Sequence, residues 1–235
     1  MGRMTVQLPI STLSLRHVIP EPLALEQWAE VRPLIDGRDV LKEIHPGGVA
    51  SCCRSEWAGP AERWPLAATE VPRRVELSNN NCYTGCCGGV FVTIHRQGDR
   101  VLWSSWENTH DSRVPVPADV RFDAARYDAE LSRAVADLSW EQPVDTVARL
   151  LTQTFADSGW FERWDCVLED VDLRREEPQG VDVYFSHARA PHERPTHYAY
   201  EFLVTPHEPA EQQAQRFAAR ILADDPRLTA EQWGD

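Results

Sequence analysis

SNNNCYTGCCGGVFVTI, residues 78 to 94, gathers three asparagines, three cysteines and three glycines before a β-branched, aromatic run. Asparagine tolerates positive φ and bonds its own backbone, and glycine has no Cβ to clash. Asn79 to Asn81 with Gly85, Gly88 and Gly89 therefore describe a tight loop that feeds a strand. In that strand Val90, Val92 and Ile94 share one face and Phe91, Thr93 and His95 the other. Gln97-Gly98-Asp99 then turns the chain into a second strand over 100 to 106, and 74 to 77 supplies a third. The N-terminal half is thus expected to be β-rich, organised around a cysteine loop.

Upstream, 5 to 10 and 13 to 19 are β-prone, and Leu25, Trp28 and Val31 recur by threes as on a short helix that Pro33 would stop. Asp36-Gly37 marks a turn, followed by an extended segment from Asp39 to Ile44. Residues 51 to 72, with Trp57, Trp64 and three prolines, read as an irregular loop pinned by tryptophan.

Downstream, Pro115 and Pro117 mark a linker. Asp123 then caps a helix striped by Tyr127, Leu131, Val135 and Leu138. Pro143 opens a second helix through Val144, Val147, Leu151 and Phe155, stopped at Ser158-Gly159. Strands over 164 to 173, 181 to 186 and 198 to 205 form an antiparallel meander closed by a helix from Pro209. The expected class is α+β: a β-rich region over 1 to 117, then a helical pair, meander and C-terminal helix over 118 to 235, as two regions or one continuous domain.

The chemistry most visible in the sequence is that of thiols. Three residues separate Cys82 from Cys86 and four separate it from Cys87, both spacings used by zinc knuckles. One knuckle is half a structural zinc site. The missing ligands would come from Cys52 or Cys53 and a histidine such as His95 or His45. Two other readings stand beside zinc. Buried cysteines pack as small hydrophobes, and Cys87 before Gly88-Gly89 could be a thiolate held by backbone N–H groups, with His95 or His110 as base. The polar run Glu107-Asn108-Thr109-His110-Asp111 could hold a general base or be a solvated connection, and His187, His192 and His197 recur by fives around a hairpin loop.

The run from Cys82 to Ile94, followed by Gly98-Asp99-Arg100-Val101-Leu102-Trp103, resembles a family of uncharacterised actinobacterial proteins in which a GCCG loop leads into a strand, a Gly-Asp turn and a Trp-bearing strand. Residues 34 to 39, 121 to 130 and 225 to 231 extend the resemblance over most of the chain. It implies an architecture and a source, and carries no activity and no catalytic residue.

Composition narrows the function classes. With 24 basic against 37 acidic residues the net charge is -13, which repels a phosphate backbone and an anionic bilayer, so neither nucleic acid nor membrane is an expected partner. No apolar run reaches 18 residues. Six cysteines in 235 residues are too few for a secreted disulfide scaffold, which reads as a cytoplasmic chain. No phosphate loop, dinucleotide fingerprint, nucleophile elbow or zinc-protease helix is present. The expected function is a non-enzymatic binding or interaction protein with an unknown protein or small-molecule partner, for which an exposed patch of Trp57, Trp64 and Trp106 would be the candidate surface. The alternative is a zinc or thiol-reactive site centred on Cys82, Cys86 and Cys87. A third class, an enzyme using carboxylates, is not singled out by any residues.

Overall fold

The computed structural model describes residues 9–18, 30–44, 61–79, 88–187 and 194–233. The fold is α+β, and its contacts divide it into two compact units, Met1–Trp140 and Glu141–Asp235. Among the described residues no helix is long and apolar enough to cross a membrane.

The first unit holds two sheets. The larger takes β1 (Ile10–Ser11), β5 (Arg73–Asn79), β6 (Gly89–Gln97), β7 (Arg100–Asn108) and β8 (Val120–Asp123) in the order β1-β8-β7-β6-β5. Its centre is the expected hairpin: β6 and β7 turn through Gly98, whose φ of 61° suits glycine, and Gln97 pairs with Arg100. Val90, Val92 and Ile94 are fully buried. On the other face Phe91 lies under the Arg74 guanidinium, 3.5 Å from its ring centre. The smaller sheet orders β2 (Leu13–Val18), β3 (Glu30–Ile35) and β4 (Arg38–Asp39), with the turn at Asp36 and Gly37, both at positive φ.

Two local expectations give way here. Glu30 to Arg32 lie in strand β3, not at the end of a helix, and Pro33 sits inside that strand. Proline is tolerated because its register partner, Leu15, sends its N–H and C=O to the side chains of Glu130 and Arg133, so no ladder bond is lost at Pro33. Residues 40 to 44 form a short helix, α1 (Val40–Ile44), capped by Asp39 Oδ1 accepting from Lys42 N at 3.0 Å.

Helix α2 (Ala124–Ala136) is capped as expected, Asp123 Oδ1 accepting from Arg126 N. It buries Ala124, Tyr127, Leu131 and Ala134, whereas Leu138 lies beyond its end and is exposed. Since β8 pairs with β7 and α2 packs on β2, Pro115 and Pro117 lie within the first unit. The core is knitted by one buried polar chain: Trp103 Nε1 donates to the Tyr127 hydroxyl at 3.1 Å, which donates to the Leu66 carbonyl at 2.6 Å. Burial raises the Tyr127 hydroxyl well above its ordinary pKa, so it remains a donor at any working pH.

The second unit begins with α3 (Pro143–Ser158), which has a capping box between Gln142 and Asp145 and ends at Gly159 in the left-handed region, φ 57°. After α4 (Trp160–Arg163), strands β9 (Cys166–Arg174), β10 (Gly180–His187) and β11 (Thr196–Leu203) make the meander. Helix α5 (Ala210–Leu222) follows, then α6 (Pro226–Thr229) and an added edge strand, β12 (Glu231–Trp233). Val181, Val183, Phe185 and Phe202 pack in one core with Val147, Leu151, Phe217 and Ile221 of the helices.

Replacing Tyr127 by Phe keeps the ring but strands the Trp103 N–H and the Leu66 carbonyl in the core. It should lower stability by about 1–3 kcal/mol, read as a shift of the urea midpoint at unchanged slope. An unshifted midpoint would show that these groups find other partners.

Candidate functional site

In the first unit the chain forms an open cleft of about 500 Å³. One wall is β2, from Ser14 to His17, backed by Leu34 of β3, which pairs with Ser14. The other is the exit of α2, with Asp137, Ser139 and Trp140.

Local bonding explains why the exit keeps this shape. Asp137 leaves the helical conformation with its N–H still bonded to the Arg133 carbonyl. Its Oδ1 accepts from both the Ser139 N–H at 3.0 Å and the Ser139 hydroxyl at 2.6 Å, closing a tight turn. Trp140 is swung back over that turn and donates from Nε1 to the Asp137 carbonyl at 2.9 Å. Its indole then stacks on the His17 imidazole, centroids 5.4 Å apart and planes 26° off parallel. The His17 side chain is only 3 % exposed, and its Nδ1 stands 4.0 Å from Asp137 Oδ2.

Electrostatically the carboxylate is already provided for. Ser139 holds the Asp137 carboxyl below its ordinary value of 3.8, and against partial burial Arg133, donating at 3.2 Å, and His17 push it further the same way. In a serine hydrolase the hydroxyl hands its proton to an imidazole that the carboxylate orients. Here the hydroxyl donates to the carboxylate itself, and 4.0 Å is too long for a His17–Asp137 hydrogen bond. The arrangement builds a rigid, partly aromatic wall, not a proton relay.

The residues singled out in the sequence fall elsewhere. Cys52, Cys53, Cys82, Cys86, Cys87, His45, Trp57 and His192 lie outside the described residues. His95 sits on β6 with its Nδ1 3.0 Å from Gln97 Nε2. In the run from Glu107 to Asp111 both carboxylates are paired, Glu107 with Arg74 at 2.8 Å and Asp111 with Arg113 at 2.9 Å, while Asn108 Oδ1 accepts from the His110 N–H. His187 meets Arg227 and His197 meets Glu169, so these two histidines serve different partners. Among the described residues no group of three or more histidine, cysteine, aspartate or glutamate side chains could hold a metal ion. Trp64 and Trp106 are core residues, 0 % and 8 % exposed, and so do not form the exposed patch expected of them. Burial pushes the thiol of Cys166 up to about 11, leaving it a poor nucleophile.

The sequence matches no protein-family model, and neither a curated protein nor a solved structure matches it. The cleft therefore stands on its own geometry.

Because the folded state favours the ionised form of Asp137, its contribution is complete above the ordinary aspartate value and is lost as pH falls through the lowered one. The stability gap between wild type and Asp137→Asn should be constant from neutrality to about pH 5 and close below about pH 3.9, measured by urea unfolding across pH. A gap that persists unchanged to pH 2.5 would contradict the bonding described.

Proposed function

We propose that the protein is a non-enzymatic binding protein that takes a small molecule in the cleft between β2 and the exit of α2. The observation that carries this reading is a preformed cleft of about 500 Å³, within the range of ligand pockets, walled by the His17–Trp140 stack. Its carboxylate and hydroxyl are bonded to each other, which fixes a surface for recognition instead of preparing a nucleophile. A cytoplasmic place, without nucleic acid or membrane as partner, belongs to the same reading and rests on the acidic charge and the sparse cysteines.

One observation favours a second reading, a zinc or thiol-reactive site at Cys82, Cys86 and Cys87. Asn79 pairs with Gly89, so residues 80 to 88 join adjacent strands. Gly88 is pressed against the next turn: a Cβ there would lie 2.7 Å from the Thr109 carbonyl carbon and 2.8 Å from His110 N. The residue following Cys87 thus touches the backbone of His110, one of the two histidines, with His95, that could serve a reactive Cys87 as base.

Ligand-observed NMR of the full chain with a mixed small-molecule collection should find binders that weaken at least about 10-fold on Trp140→Ala, with thermal unfolding confirming that the variant is folded. Binders indifferent to Trp140, or none at all, would remove the cleft reading. Metal content and a native thiol count on the same sample decide the second: about one zinc per chain, or rapid alkylation of Cys86 or Cys87, would favour it.

A further inference from the structure

The charges around the cleft are unevenly committed. Asp137 is bonded to Arg133 and Ser139. The side chain of Arg16, which also lines the cleft, is exposed and has no ion pair or hydrogen bond among the described residues. Directly across the ladder from it stands Arg32, whose guanidinium is bonded to Glu30 at 2.8 Å and lies 3.6 Å from Asp39. Like charges opposed on neighbouring strands are unfavourable, and Arg16 has no carboxylate to offset the contact. The chain has 37 acidic residues to 24 basic ones, so a partner for Arg16 would be easy to supply from within.

From this uncommitted cation beside an aromatic wall we infer that the cleft's ligand is a small organic anion with a flat apolar body. Its anionic oxygens would meet the Arg16 guanidinium, a planar fork suited to carboxylate or phosphate. Its ring would lie against the partly exposed Trp140, with Leu34 adding apolar surface. A cationic ligand would be repelled by Arg16 and would find the Asp137 charge already offset by Arg133. The inference rests on the cleft being a binding site and adds the ligand's charge and shape.

The test is calorimetric titration of the full chain with 2-naphthoate, 2-naphthyl phosphate, neutral 2-naphthamide and cationic 2-naphthylmethylammonium, using wild type, Arg16→Gln, Arg16→Lys and Trp140→Leu. One of the two anions should bind wild type about 10- to 100-fold tighter than the amide, and the preferred anion separates carboxylate from phosphate. Arg16→Gln should bring that anion and the amide within about twofold of each other, while Arg16→Lys keeps part of the preference. Amide or cation binding as tightly as both anions, with affinity still lost in Trp140→Leu, would overturn the anion assignment and leave the cleft reading standing. No binding of any probe at millimolar concentration, or binding unchanged in both Arg16→Gln and Trp140→Leu, would overturn both.

Discussion

The first unit depends on how one backbone position is closed. Leu15 lies on β2, at the edge of a three-stranded sheet and at a position where the antiparallel ladder turns its N–H and C=O away from β3, and no other described strand receives them. Two side chains of α2 take that role: Glu130 Oε1 accepts from the Leu15 N–H at 2.6 Å, and Arg133 Nη2 donates to the Leu15 carbonyl at 2.7 Å. The same arginine bonds Glu130 and, through Nη1, Asp137. Residues 130, 133 and 137 recur at three and four, one side of a helix, so a single ion-pair network docks the helix on the strand edge and aims the cleft's carboxylate. The Glu130 carboxyl resists the upward pull of burial because Arg133 and the Leu15 N–H both favour its charged form.

The second unit closes an edge by a more local device. β9 is the edge of the meander sheet, and the N–H groups of Val171 and Leu173 are bonded by the carboxylates of the residues just before them, Asp170 and Asp172, each at 2.8 Å. A capped edge bearing negative charge is a poor template for another strand. The device places acid on acid, since Asp172 and Glu201 stand in register on either side of Asp182; burial raises the pKa of both aspartates, helped by the Asp170 charge at Asp172 and by Glu201 and Asp172 at Asp182. Arg174 moderates this by reaching Asp182 at 3.5 Å. Gly180 makes room for it: a Cβ there would stand 2.6 Å from Arg174 Nη2 and 2.8 Å from the Phe202 carbonyl. Glycine in this strand is set by the Phe202 backbone carbonyl, which cannot swing aside as the end of the arginine can, and not by φ.

Legibility in the sequence followed the range of the deciding contact. The Asp123 cap, the Gly98 hairpin, the Asp36-Gly37 turn and the Gly159 stop are decided within a few residues, and each was readable. β3 was hidden because Pro33 reads locally as a stop, and only bonds spanning 115 and 118 residues make it harmless. The cleft was hidden for the same reason. His17 sits in a segment legible only as β-prone and Trp140 in a short interhelical connection, and no spacing links them. The one local signal was Asp137-x-Ser139, a self-bonded turn directly after a helix carrying Glu130 and Arg133 on the same side. The cysteine loop, chemically the loudest stretch, supplied the hairpin's neighbours without entering the described structure.

The proposed anion site, in a chain of net charge -13, would set two electrostatic effects against each other. The overall field repels an approaching anion, but it is screened over roughly 8 Å at physiological ionic strength. The attraction of Arg16 acts at contact and, within a cleft whose carboxylate is already bonded, is opposed by little nearby. Recognition is then local while the encounter is slowed from a distance, which favours ligands whose binding energy comes largely from ring contact with Trp140 and whose charge serves to select. On that proposal one arginine could matter even in so acidic a protein: among the described residues lining the cleft, Asp137 is bonded to Arg133 and Ser139, and Arg16 is left to face what enters.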